Sequence, residues 1–204
     1  EGKVVAQYRF ALISLAKRDL ENGKPQDAFE KLEATLTYPE NLGEGKLPNV
    51  PDNEAYYYMG LACRAMGKED LAQKYLHLAT LGDTEPQKVL YYNDQPSDYI
   101  FYQGKASAAL GNDALAKKAF HQLTIFGETH LFDHAAPDFF AVSMPEIEVF
   151  QDDIQMRNTV YCNYLRGLGA IGLGEKEKAA ELLKGILADQ PDYQGAMLHL
   201  EMIK

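Results

Sequence analysis

His130 and His134 lie four residues apart with Asp133 between them. On a helix that spacing puts two imidazoles on one face, where they could bind zinc. A third ligand has no obvious place, and Pro137 limits any helix there, so capping and solvated histidines are the plainer reading. Glu146, Glu148, Asp152 and Asp153 cluster a little further on. Paired carboxylates hydrolyse glycosides when held roughly 5–9 Å apart across a sugar. The same residues suit a helix start, where acidic side chains favour the dipole, with Asp152 or Asp153 as the N-cap. Calcium would want an alternating Asp/Asn/Gly loop, which is absent. Cys63 and Cys162 are too few for a disulfide framework and read as buried thiols behaving as small hydrophobes. A phosphate loop, a nucleophile elbow and a Ser/His/Asp order are all missing. The sequence therefore predicts no catalytic residue, no cofactor and no metal.

The elements that carry these groups follow one spacing, repeated four times. A small residue is followed seven residues later by Gly, five later by Ala and four later by a bulky apolar residue. The copies are Ala16/Gly23/Ala28/Leu32, Gly60/Gly67/Ala72/Leu76, Gly104/Gly111/Ala116/Phe120 and Gly167/Gly174/Ala179/Leu183. Each reads as a helix, a tight turn and a second helix crossing the first through small residues. The pattern resembles a tetratricopeptide (TPR) array. That resemblance implies an all-α, right-handed α-solenoid of four helix pairs in a single domain, residues 1–204. The repeats fall at about 5–38, 53–80, 97–123 and 154–190, and a last amphipathic helix at 193–203 covers the fourth.

Helix ends are signalled locally. Pro25 suits the first turn of a second helix, and Pro39 stops it. Asp52 or Asn53 is expected to cap the second repeat, and Ser97 or Asp98 the third. The first small positions, 16, 60, 104 and 167, are separated by 44, 44 and 63 residues, against about 34 for an unbroken array. Insertions at 39–52, 80–96 and 124–153 account for the excess and are expected on one edge. The second holds one helical turn around residues 87–90. The third is apolar enough to fold back and bury Phe132, Phe139, Phe140 and Val142.

Inner-face positions follow from offsets to each small residue. They are Phe10, Ile13 and Lys17; Glu54, Tyr57, Leu61 and Arg64; Asp98, Phe101 and Lys105; Tyr161, Tyr164 and Leu168. Lys17, Arg64 and Lys105 on three successive repeats could hold a peptide's terminal carboxylate, as in some chaperone-binding TPR domains, although no Asn accompanies them. The aromatics Phe10, Tyr57, Phe101, Tyr161 and Tyr164 suit an exposed groove for a peptide, a helix or a neighbouring domain. The competing reading packs them on the chain's own insertions or on an upstream domain.

Net charge is −10 and the pI near 5.0, which excludes a basic footprint for nucleic acid or anionic membrane. No 18-residue apolar run exists, so no membrane insertion is expected. The chain starts at Glu1 without Met and reads as an excised or processed piece; the expected compartment is the cytoplasm.

The inserted strings are more specific than the repeat spacing. YPENLGEGK (38–46), YYNDQP (91–96), FYQGKA (101–106), FGETHLFD (126–133), DFFAVSMPE (138–146) and DYQGAMLHL (192–200) resemble an uncharacterised bacterial family. In it a TPR tail follows a β-sandwich related to galactose mutarotase. The resemblance implies a tail without assigned catalytic residues, in a larger carbohydrate-associated protein. It implies three uses: a scaffold docking on its own upstream domain, an adaptor for an outside protein, or a contributor of His130, Asp138, Glu146 and Asp152 to a sugar site shared with that domain. A homodimer is also compatible.

Overall fold

The computed structural model describes residues 3–47, 50–89, 94–134 and 154–203. Among the described residues the regular structure is all helical, nine α-helices and one 3₁₀ turn, with no strand. The chain falls into two compact units. One takes the chain up to Thr84 together with Asp98–Ala119, and the other takes Glu85–Ser97 together with the chain from Phe120 onward.

The first unit holds α1 (Lys3–Glu21), α2 (Pro25–Ala34), α3 (Asn53–Ala65), α4 (Glu69–Ala79) and α5 (Tyr99–Ala109). Helix α3 is its centre and packs on α1, α2, α4 and α5. Ala28, Leu32, Ala62, Ala72, Leu76 and Ile100 are fully buried; each Leu or Ile contributes about 1.5–3 kcal/mol by leaving water. The crossing of α3 with α4 requires Gly60. A Cβ there would stand 2.7 Å from Leu76 Cγ and 3.3 Å from the Ala72 carbonyl.

The four repeat turns share one geometry. Gly23, Gly67, Gly111 and Gly174 have φ between +69° and +82°, the left-handed region that only Gly enters without strain. The N–H after each glycine donates to the carbonyl five residues back: Lys24 to Asp19, Lys68 to Cys63, Asn112 to Ser107 and Glu175 to Ala170, at 2.8–2.9 Å. This is the Schellman closure, which satisfies carbonyls that a helix end leaves orphaned.

Helix α6 (Asp113–His130) begins in the first unit and ends in the second. The second unit also holds α7 (Ile154–Leu173), α8 (Lys176–Asp189) and α9 (Gln194–Glu201). Helices α8 and α9 both pack on α7, and the start of α7 and the presence of α9 match the sequence expectation. Within this unit α6 and α7 approach backbone to backbone. A Cβ on Gly169 would meet Thr124 Oγ1 and the Phe120 carbonyl, and one on Gly127 would meet the Cys162 carbonyl.

Several local expectations are corrected. The stretch 124–130, read as the start of an insertion, continues α6 to His130. Residues 87–89 form no helical turn. Helix α2 ends at Ala34, before Pro39, where buried Thr35 turns its hydroxyl back to the Leu32 carbonyl at 2.6 Å. Phe132 is 88% exposed; the end of α6 is fastened instead by Asp133, whose carboxylate takes Lys88 and His130. Phe139, Phe140 and Val142 lie outside the described residues. Neither Asp52 nor Asp98 makes a side-chain cap bond. Asp52 accepts from Arg9 and Lys46. Asn53 turns to the neighbouring helix end and donates to the Ala79 and Leu81 carbonyls, both at 2.8 Å. Ser97 Oγ accepts from the Gln87 N–H at 2.8 Å.

Candidate ligand site on the first-helix face

In the first unit, α1, α3 and α5 bring one polar and aromatic cluster together. Lys17 on α1 donates to Glu54 Oε1 on α3 at 2.9 Å, and Tyr102 OH on α5 donates to the same oxygen at 2.6 Å. The Lys17 ammonium also lies 4.8 Å from the centre of the Tyr58 ring and 5.9 Å from that of Tyr102, within cation–π reach. The two rings meet edge to face at 6.1 Å. Only 15% of the Lys17 side chain and 28% of that of Glu54 remain exposed. Removing either partner would leave a poorly hydrated charge behind.

Arg9, also on α1, donates to Asp52 Oδ1 at 2.9 Å and to the Pro51 carbonyl at 3.0 Å. Lys46 holds the other Asp52 oxygen at 2.6 Å and the Leu36 carbonyl at 3.0 Å. These links fasten the inserted segment after α2 beside the cluster.

Asp98 and Lys105 differ from this pattern. Both are half-buried, Asp98 at the N-cap of α5 and Lys105 within the helix. Burial, with Glu54 adding repulsion, pushes the Asp98 carboxyl up to about 7; backbone N–H groups at Asp98 and Tyr99 and the Arg9 charge pull only weakly the other way. Burial likewise lowers the Lys105 amine. Neither side chain has an ion-pair partner among the described residues. Lys105 follows Asp98 by seven residues, about 10 Å along the axis of α5.

The residues expected on an inner face divide by burial. Lys17, Glu54, Asp98 and Lys105 are at hand, Leu61 is half-buried and Phe10 is half-buried. The expected exposed aromatics are not. Tyr57, Phe101, Tyr161 and Tyr164 are buried, as are Ile13 and Leu168, because the rings fill the units they belong to. Tyr57 packs edge to face on Tyr58 at 5.0 Å, and Phe101 on Tyr102 at 5.2 Å. Tyr161 OH accepts from the Ser97 N–H and donates to the Gln87 carbonyl, so it serves the chain's own insertion. Tyr164 packs on Tyr193, and its hydroxyl is 3.1 Å from His199 Nδ1. A three-cation carboxylate clamp does not form either. Lys17 is held by Glu54, and Arg64 is exposed and turned to Glu69 at 3.2 Å and the Ala109 carbonyl at 3.4 Å. Lys105 alone of the three lacks an ion pair among the described residues.

Arg9, Tyr58 and Tyr102 belong to the cluster and were missed from sequence. Tyr58 and Tyr102 stand two residues before Gly60 and Gly104. The repeat register therefore held the signal, one residue away from the offsets used.

The second unit carries its own polar group. His130 Nδ1 and Asp133 Oδ2 are 2.7 Å apart, and Lys88 donates to that oxygen at 2.5 Å. Lys88 and then His130 hold the Asp133 carboxyl below the ordinary carboxylate range. His134 is exposed beyond the helix end, so the two histidines do not share a helix face. No group of three metal-ligating side chains occurs among the described residues. Asp138, Glu146, Glu148, Asp152 and Asp153 lie outside them. Burial pushes the Cys162 thiol up to about 11 and raises that of Cys63, so both resist becoming thiolates. No helix described is long and apolar enough to cross a membrane. No family model matches the chain, and no solved structure matches it.

Proposed function

We propose that this chain is a non-catalytic interaction module of the tetratricopeptide kind, working within a larger, carbohydrate-associated bacterial protein. Its recognition surface is the first-helix face of the first unit. The partner is a protein or peptide segment, either outside the polypeptide or in its own upstream domain. The observation that carries this reading is the pair Asp98 and Lys105. Both have lost hydration without gaining an ion-pair partner, one at the start of α5 and one within it. Uncompensated desolvation costs stability. A fold retains it where a ligand supplies the missing charges.

The reading moves the surface away from the aromatic residues first singled out. Tyr57 and Phe101 serve as the packed wall behind the polar groups. Recognition then rests on charge and hydrogen bonding, with Tyr58 and Tyr102 as the rigid aromatic part of the cluster. The four repeat turns and the small-residue crossings support the solenoid reading.

A photo-crosslinking amino acid tests the proposal. Placed at Leu61, on the first-helix face, it is expected to give a discrete adduct in the source cell. Placed at exposed Gln73, on α4, it is expected to give none. Equal adducts from both positions, or adducts from Gln73 alone, overturn the proposal.

A further inference from the structure

The repeat register narrows the ligand, an inference that rests on the interaction reading above. The link between Lys17 and Glu54 joins two successive repeats. Lys17 stands one residue after the small residue Ala16, and Glu54 stands six before the small residue Gly60. Advancing one repeat gives Leu61, one after Gly60, and Asp98, six before Gly104. Helix α3 packs on α5 as α1 packs on α3. The carboxyl thus recurs in the same register while its cation is replaced by leucine.

The first member of the series shows how the face holds an amine. The Lys17 ammonium has a carboxylate oxygen at 2.9 Å and two tyrosine rings within 6 Å. Tyr102 sits four residues after Asp98, one turn along α5. The second member offers a carboxyl of the same register and Tyr102, which stands two residues before Gly104 as Tyr58 stands two before Gly60. The groups acting on Asp98 are Glu54 from α3, Arg9 from α1 and the backbone N–H groups at its own helix start. Arg9 is already committed to Asp52 and the Pro51 carbonyl. Leu61 can supply no charge.

We infer that the Asp98 position is a recognition site for a primary amine, the side chain of a lysine in a peptide segment, which takes the place that Lys17 occupies beside Glu54. The acidic chain, at −10, favours a basic segment of this kind. Binding carries a proton signature, because the amine pairs with the ionised carboxyl and Asp98 must release its proton first.

The test follows the Asp98 carboxyl by carbon NMR through a pH titration of the whole chain. The ligand probe is Nα-acetyl-lysine N-methylamide, with its Nζ-acetylated form as the uncharged control. The charged probe is expected to lower the midpoint from about 7 toward about 6 at roughly ten times its dissociation constant. The acetylated form is expected to leave it in place. Leu61→Lys supplies the missing cation from within, so its Asp98 is expected to titrate in the ordinary carboxylate range, with the response to the probe lost. Equal responses to the two probes in the unmodified chain overturn the inference, whatever the variant does. So does a folded Leu61→Lys chain whose Asp98 still titrates near 7. Adducts from Leu61 beside an unresponsive Asp98 would sink this inference and leave the interaction reading. A responsive Asp98 with no Leu61 adduct would do the converse.

Discussion

Asp98→Asn should stabilise this protein at pH 8 and do little at pH 4. An unfolded Asp has its carboxyl at the ordinary 3.8, while in the fold burial and Glu54 raise it to about 7. The folded state therefore binds the proton more tightly than the unfolded chain. The sign follows from that difference. As pH rises from about 4 to 7 the unfolded chain is the more ionised, stability falls, and above 7 the full cost is present. The gap between 3.8 and about 7, at ~1.4 kcal/mol per tenfold in proton affinity, sets a ceiling of about 4 kcal/mol. Asp98 is half-buried rather than sealed, so water reaching the ionised form brings the expected cost to about 2–3 kcal/mol. Asparagine keeps the shape and an acceptor for the local N–H groups and never ionises. Urea unfolding of both chains at pH 4, 6 and 8 gives the difference directly. The expected gain in the variant is near zero at pH 4 and about 2–3 kcal/mol at pH 8. A constant difference across the range, or a variant less stable at pH 8, would refute the assignment of Asp98 as a desolvated, unpaired carboxyl.

The glycines separate by what lies opposite them. Gly60→Ala pushes into the buried Leu76 side chain at Cγ, beside the Ala72 carbonyl, and should cost about 1–3 kcal/mol. Gly169→Ala meets the Phe120 backbone carbonyl, which cannot swing aside, and should cost more than about 3 kcal/mol. Gly185→Ala has nothing within 4 Å in the middle of α8 and should stabilise by about 0.5–1 kcal/mol. Urea midpoints rank all three. Asn53→Ala strands the Ala79 carbonyl and leaves that of Leu81 to Gln103 alone, and should cost about 1–2 kcal/mol. Asn53→Asp should cost more, since it sets acceptors against acceptors; thermal unfolding reads both. Cys63 and Cys162 should stay unreactive to a thiol reagent at pH 8 in the folded chain and react once urea unfolds it.

The repeat spacing made the turns legible, because a helix that reverses within three residues needs a left-handed residue, and Gly23, Gly67, Gly111 and Gly174 all sit at that point. Lys17, Glu54 and Lys105 lie on α1, α3 and α5, and Asp98 stands just before α5. Exposure was not legible. Whether Tyr57 faces water depends on which other helix packs beside it, and α5 brings Tyr102. Caps were misjudged for a related reason. Asp52 and Ser97 are good N-cap types, but Arg9, Lys46 and Gln87 arrive from elsewhere in the chain and claim their oxygens. The continuation of α6 past residue 123 was hidden by Gly127, which reads as a breaker in sequence. In the fold it makes room for the Cys162 carbonyl.

One phenol holds both ends of an insertion. Tyr161 OH takes the Ser97 N–H at 2.9 Å and gives its proton to the Gln87 carbonyl at 3.0 Å, while Ser97 Oγ takes the Gln87 N–H. The segment from residue 87 to 97 is thereby closed at its base, independently of its own length. For a loop already closed at its root, each doubling of length costs only about 0.6 kcal/mol. A peptide tag or a small reporter spliced between Lys88 and Ser97 should therefore leave the second unit folded. The same splice in a chain carrying Tyr161→Phe would have to be held by Ser97 alone. This makes the insertion a natural graft point, and Tyr161 the rivet that makes it one.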